Sequence, residues 1–153
     1  MADVKTSQTW TAAASPHVVG QSINVLGNST LTIEPCATVL LDPAVTIAVG
    51  DFVSSPADKS VVVALGTQAQ PITFGPHGSS PWGSLYLNNA ATATLSWVTF
   101  TGGGDVVRHG ASLILESGNA TTTLLPMASL FAGRMSGNRR SVHSNGAEPA
   151  QNA

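Results

Sequence analysis

Apolar and polar residues alternate in short runs between residues 22 and 49, and the runs recur every eight positions. Alternation with a period of two is typical of a strand that is buried on one face. Pro or Gly interrupts the chain between runs, so each unit is a strand followed by a corner. The repeat consists of three columns of equivalent residues, which are Ser22, Thr30, Thr38, Thr46; Ile23, Leu31, Val39, Ile47; and Val25, Ile33, Leu41, Val49.

A strict short repeat of strand and corner predicts an all-β fold, a parallel β-helix solenoid, because one unit cannot bury its own apolar face and the stack must do so. Three octads form a three-sided coil of about 24 residues. We expect a right-handed coil, since parallel crossovers strongly favour that hand. Ser22 and Thr46 would then lie one coil apart, as one step of a hydroxyl ladder.

The pattern divides the 153 residues into four segments. Residues 1–9 form a polar lead-in and residues 10–125 the β-helix domain. Residues 126–136 form a short helical cap or a frayed end. Residues 137–153 are rich in Asn, Gly, Ser and Ala without an apolar period, which predicts a disordered tail.

The alternation also predicts which side chains point into the core and which point outward. The predicted inward residues are Ile23, Val25, Leu31, Ile33, Val39, Leu41, Ile47, Val49, Leu85, Leu87, Val98, Phe100, Leu113 and Leu115. The predicted outward residues between them include Asn24, Thr32, Leu40, Tyr86 and Ile114.

Composition excludes several classes of partner. Charged residues make up only 9 % of the chain, and the net charge of −2 comes without a basic stripe, which argues against nucleic-acid binding. No apolar run approaches the roughly 20 residues of a membrane-spanning helix. Cys36 is the only cysteine, so we expect neither an internal disulfide nor a cysteine metal cluster. The N-terminus lacks the apolar core of a signal peptide, which predicts an intracellular chain or a fragment without its leader.

Three segments carry recognisable corner motifs: LTIEPCATV at 31–39, LGT with PITF within 65–74, and WGSL with LSWVTF within 82–100. In these segments the chain resembles bacterial right-handed parallel β-helix repeat proteins, the pectate-lyase-like superfamily in its broad sense, from Trp10 to about Gly118. The resemblance implies an extracellular or cell-surface location. Cys36 stands where that family usually has Gly, at a corner where a positive φ is required.

Enzymes of that superfamily would need clustered acids, either as calcium ligands or as a catalytic pair. The carboxylates of this chain are scattered, and the nearest polar cluster is Asp105, Arg108, His109 and Glu116. We interpret this cluster as a polar turn and keep its four residues as weak catalytic candidates. We expect no metal site and no cofactor, with calcium as the ion that an enzyme of this family would use.

Trp82, Tyr86 and Trp97 are candidate ligand-binding residues, because flat aromatic faces on a surface of low charge suit sugar rings. The alternative is that Trp82 caps a loop against the coil and that Trp97 covers a corner. Thr-x-Thr also occurs at Thr30/Thr32, Thr92/Thr94 and Thr121/Thr123. Regular threonine arrays on a solenoid could bind ice, but only if they recur on one face in every coil. The sequence shows no such recurrence, so we do not expect an ice-binding array.

These observations favour a non-enzymatic structural or binding module that contacts a polysaccharide or a cell-surface partner. Two alternatives remain. The first is a polysaccharide lyase or glycoside hydrolase with its groove near Asp105–Glu116. The second is a truncated gene fragment without independent activity. Open sheet edges at the ends of a stack also predict end-to-end self-association.

Overall fold

The protein is described by a computed structural model that covers residues 1–51, 58–88 and 90–104, together with four later strands. A 3₁₀ helix spans Ala12–Ala14. The described strands are β1 Gln8–Trp10, β2 His17–Val19, β3 Ile23–Val25, β4 Thr30–Ile33, β5 Thr38–Leu41, β6 Ile47–Val49, β7 Val61–Leu65, β8 Ile72–Pro76, β9 Leu85–Leu87, β10 Thr92–Ser96, β11 Val98–Phe100, β12 Ala111–Leu115, β13 Thr121–Leu124, β14 Arg134–Ser136 and β15 Val142–Ser144.

The strands form three sheets, and neighbouring strands are parallel in all of them. Sheet 1 has the order β1-β4-β7-β10-β13-β15, sheet 2 the order β11-β8-β5-β2, and sheet 3 the order β14-β12-β9-β6-β3. From β1 to β12 the chain visits sheets 1, 2 and 3 in the same cyclic order four times. We call each visit to all three sheets a pass. This all-β arrangement is consistent with the predicted parallel β solenoid.

The predicted inward residues form the core. Thirteen of the fourteen are buried, and the side chain of Leu115 lies outside the described residues. The buried apolar residues of the three sheets form one contiguous cluster. The stacking follows the octads, because Ile23 pairs with Ile47 and Ile47 with Leu85. Of the predicted outward residues, Asn24 is exposed and Thr32, Leu40 and Tyr86 are half-buried.

Serines at the corners of the first pass tie it to the second. The Oγ atoms of Ser7, Ser15 and Ser22 accept hydrogen bonds from the backbone N–H groups one pass later, at distances of 2.9, 2.7 and 3.0 Å. The three donors are Thr30, Thr38 and Thr46, which open the successive octads. The predicted stacking of Ser22 and Thr46 one coil apart is therefore confirmed, and the same contact recurs on all three sides. The predicted hydroxyl ladder does not form at this step, because the Thr46 donor is its backbone N–H and the buried Thr46 hydroxyl has no hydrogen-bond partner among the described residues.

The octads also share a left-handed corner residue. Asn28, Cys36 and Ala44 are equivalent positions of successive octads and have φ values of 56°, 70° and 61°. The prediction that Cys36 occupies a positive-φ corner is confirmed. Of the three residue types, only Asn readily adopts the left-handed region of positive φ. Cys36 and Ala44 therefore adopt it at a conformational cost.

The later passes are longer than the octad repeat predicts. Ile47 follows its partner Ile23 by three octads, whereas the next partner, Leu85, follows Ile47 by nearly five. The extra residues lie in the connections between strands, so the register of the strands is kept. A coil of three octads therefore describes the first pass and not the later ones.

An aromatic group fills the core of the later passes. Phe74 and Phe100 pair in register on sheet 2, with ring centroids 4.9 Å apart and planes 15° from parallel. Trp82 lies 6.4 Å from Phe74 and 6.3 Å from Phe100, measured between ring centroids. These rings occupy the volume that apolar aliphatic residues fill in the octads.

Two short strands fall in segments for which the sequence predicts something else. β14 lies within the predicted helical cap and pairs with β12, while β15 lies within the predicted disordered tail and pairs with β13. At these strands the backbone continues the parallel pairing, because each runs beside a strand of the previous pass. The remaining residues of both segments lie outside the described residues.

Candidate binding surfaces

The polar cluster that the sequence singles out, Asp105, Arg108, His109 and Glu116, lies outside the described residues. Its predicted roles stay predictions. The three aromatic candidates, Trp82, Tyr86 and Trp97, are all described, and the structure places them in three different environments.

Trp82 is a core residue. Its side chain is fully buried beside the stacked pair of Phe74 and Phe100, and its indole N–H donates a 2.7 Å hydrogen bond to the carbonyl oxygen of Thr101. No ring face is left for a sugar, so the structure removes Trp82 from the candidate ligand-binding residues. The tryptophan is buried because the aromatic pair beside it needs a third large side chain to fill the core.

Tyr86 lies on the outer face of sheet 3, as the sequence predicts. Its neighbours along the strand, Leu85 and Leu87, are buried, and Tyr86 itself is half-buried. In register it pairs with Ala48 on β6 and with Ile114 on β12. Tyr86 is thus an outward aromatic residue on the central strand of sheet 3, and strands β3, β6 and β9 of this sheet carry no charged residue.

Trp97 occupies the corner between β10 on sheet 1 and β11 on sheet 2. It is half-buried and has a φ of 48°. Its carbonyl oxygen accepts a 2.9 Å hydrogen bond from the N–H of Ile72, which holds the corner to the previous pass. Because Tyr86 lies on sheet 3, the two remaining aromatic candidates do not share one sheet face.

The described carboxylates serve as corner ties. Asp3 accepts a hydrogen bond from the N–H of Asn24, and Glu34 accepts one of 2.9 Å from the N–H of Ala12. No group of three or more potential metal ligands occurs within the described part of the chain. The described acids are therefore spread over separate corners rather than gathered in one groove.

Asp58 is the most heavily hydrogen-bonded of these acids. It is buried, and its carboxylate accepts hydrogen bonds from the N–H groups of Gly27, Asn28 and Ser60 and from the Ser60 hydroxyl, at 2.6 to 3.0 Å. Burial alone would raise its pKa, but the hydrogen bonds outweigh burial and hold the pKa below its usual value of 3.8. Asp58 thereby joins the start of the third pass, just before β7, to the corner that precedes β4 in the second pass.

Asp42 and His77 form an exposed pair that sequence reasoning missed. The His77 Nδ1 atom lies 2.6 Å from the Asp42 Oδ1 atom, and both side chains are more than one-third exposed. The residues stand at corners of successive passes, 35 positions apart. Counting passes from the octads through the long connection was the signal that could have found this pair.

The outer face of sheet 1 brings together the Thr-x-Thr motifs. Thr30, Val61, Thr92 and Thr121 form one column in register. Thr9, Thr32, Val63, Thr94 and Thr123 form the second column, which continues in register to His143 on β15. We call these two columns the Thr/Val face. The prediction that threonines do not recur in every coil is confirmed at β7, where Val61 and Val63 occupy both columns. The threonines of β4, β10 and β13 nevertheless share these columns, because the register of sheet 1 is kept from pass to pass. Valines replace the threonines at β7 alone among the strands that carry both columns.

Comparisons with protein-family models, curated proteins and solved structures find no match to this chain. Among the described residues, no helix has the length and apolar character needed to cross a membrane. The functional argument therefore depends on the surfaces themselves.

Proposed function

We propose that the chain is a right-handed parallel β-helix of the pectate-lyase-like kind that acts as a non-enzymatic structural and binding module. The observation that carries the proposal is the distribution of charge. None of the strands β1–β11 contains Asp, Glu, Lys or Arg, and the carboxylates of Asp3, Glu34, Asp42 and Asp58, which lie outside the strands, are each held by a hydrogen bond or ion pair. The strong preference of parallel crossovers for the right hand supports the handedness.

The ligand that fits such faces best is a neutral or weakly charged glycan at a cell surface. Sugar rings stack on aromatic side chains and do not need a charged partner. Tyr86 offers an outward aromatic ring on sheet 3, beside the small residue Ala48. Trp97 is half-buried at a separate corner and offers a second, smaller contact.

The test is a panel of neutral and acidic polysaccharides, with calcium added, read for retention of the protein and for new sugar ends. We expect retention on a neutral glycan without cleavage. Tyr86→Ala should weaken retention, whereas Thr73→Ala, which changes an outward residue of sheet 2, should not.

Three results would contradict the proposal. New sugar ends that disappear in Asp105→Ala and Glu116→Ala would identify an enzyme instead. Retention that Thr73→Ala weakens as much as Tyr86→Ala would remove the tyrosine from the contact. Absence of both retention and cleavage would end the glycan proposal and leave only a structural role.

A further inference from the structure

The Thr/Val face is a two-dimensional grid of β-branched side chains. Pairing is in continuous register from β1 through β4, β7 and β10 to β13, without a bulge. Equivalent residues are therefore repeated at the strand spacing of about 4.8 Å, and the two columns stand two residues apart, about 6.6 Å along each strand. Thr30, Thr32, Thr92 and Thr94 are half-buried, as are Val61 and Val63 between them.

From β1 to β10 each position of the grid carries a side chain with a methyl group, and the threonines add a hydroxyl. β-Branched side chains are stiff at χ1, and partial burial restricts them further, so little side-chain entropy is lost when the grid meets a rigid target. The strands of the face from β1 to β10 carry no charged residue. A target for this surface must itself be uncharged, flat and periodic.

We propose that the Thr/Val face binds ice, with the threonine hydroxyls joining the water lattice and the methyl groups of Thr and Val lying against it. Ice is an uncharged lattice whose surface repeats hydrogen-bonding groups in two dimensions, which the grid can meet at several points at once. A single sugar chain fits less well, because sugar rings are held by aromatic faces and the grid contains none. This surface lies on sheet 1 and does not depend on the glycan contact at Tyr86.

The valine pair on β7 allows a variant that should strengthen ice binding, besides the variants that should weaken it. Val61 and Val63 keep the methyl groups of the grid but interrupt its hydroxyls between β4 and β10. Val61→Thr with Val63→Thr completes the hydroxyl columns without changing side-chain shape. Ice binding by the protein should therefore rise in this double variant.

The experiment is partition of the full chain into slowly growing ice, with the thermal hysteresis of the same samples as a second readout. We expect the chain to be enriched in ice. Thr32→Lys with Thr94→Lys should reduce the enrichment by about tenfold or more, because a charge at the contact must be desolvated. Thr73→Lys with Thr99→Lys, which places the same charges on the outer face of sheet 2, is the matched control and should retain it.

Exclusion of the unaltered chain from ice, to the same extent as an unrelated protein, would overturn the proposal. Equal losses in the sheet 1 and sheet 2 lysine variants would also overturn it, since the Thr/Val face would then not be the contact. If the completed grid of the valine variant binds no better, the hydroxyl lattice is not what recognises ice. Circular dichroism on each variant separates loss of binding from loss of fold.

Discussion

The octad region, residues 22–49, and the later region, residues 58–104, build the same three sheets from very different sequences. In the octads, stacked partners such as Ile23 and Ile47 are separated by three repeats. In the later region the separations vary, and the chain from Ile47 to its partner Leu85 is more than half as long again. Register is nevertheless continuous across both regions. The difference teaches that the inward residues of each strand fix the register, while the connections absorb changes in length.

The two regions share left-handed corner residues, at Asn28, Cys36 and Ala44 in the octads and at Ala90 and Trp97 in the later region, but differ in how the corners are held. The octads donate backbone N–H groups to serine hydroxyls of the previous pass. The later region uses close backbone approach and an aromatic core. Gly83 shows this approach, since its N–H donates to Val45 O and its carbonyl oxygen accepts from Gly104 N, both at 2.7 Å.

The largest effect should come from the aromatic core of the later region. Trp82→Ala removes a fully buried ring and its hydrogen bond to Thr101, so we expect a loss of about 3–5 kcal/mol in the free energy of unfolding. Tyr86→Ala is the control, because this ring is on the outer face and should cost about 1 kcal/mol or less. Urea unfolding of both variants measures the difference. Equal losses would show that the later region does not depend on its aromatic core.

Asp58 should make the junction between the two regions sensitive to acid. Its pKa is lowered in the folded protein, so its contribution is present above the unfolded pKa, near 3.8, and is lost as the pH falls through the lower folded value. Asp58→Ala leaves three backbone donors without their acceptor and should cost about 3 kcal/mol at neutral pH. The stability of the Asp58→Ala variant should also fall less steeply at acidic pH than that of the unaltered protein. Urea midpoints measured from pH 7 to pH 2 test this, and an unchanged pH profile would contradict it.

Gly83 should tolerate no side chain. A Cβ atom there would lie 2.6 Å from Val45 O and 3.0 Å from Ala44 O, both backbone atoms that cannot move aside cheaply. We expect Gly83→Ala to cost about 2–3 kcal/mol. Gly20→Ala is the matched control, since its Cβ would meet only the mobile end of Asp42 at 3.3 Å. Equal melting temperatures for Gly83→Ala and Gly20→Ala would refute the account that Gly83 is needed for close backbone approach.

The smallest effect, and the one of opposite sign, should come from the octad corners. Ala44 has a φ of 61°, which costs an L-residue about 1–2 kcal/mol but costs glycine almost nothing. Ala44→Gly should therefore stabilise the protein, by about 1 kcal/mol once the greater freedom of glycine in the unfolded chain is subtracted. Ala48→Gly, within strand β6, should destabilise it instead. A drop in the urea midpoint for Ala44→Gly would contradict the corner assignment.

The sequence predicts those parts of the fold that repeat locally. The octad columns predicted the core and the contact between Ser22 and Thr46, and the corner motif predicted the positive φ of Cys36, since each depends on a regular local spacing. The Asp42–His77 pair and the Thr/Val face were not predicted, because each joins residues across connections of irregular length. Packing of Trp82 against the coil was one of the two interpretations, but its contact with Phe74 and Phe100 was not predicted, because the local spacing does not show which rings meet across passes.

Cysteine cross-linking across sheet 1 tests most directly whether register continues through the later region. In a Cys36→Gly background, which removes the only native cysteine, Val63→Cys with Thr94→Cys joins residues that the structure pairs directly. Val61→Cys with Thr94→Cys is offset by two residues, about 8 Å, too far for a disulfide. We predict that mild oxidation cross-links the first pair and not the second. Cross-linking of the offset pair, or failure of the first pair in a folded variant, would contradict the continuous register on which both the core and the Thr/Val face depend.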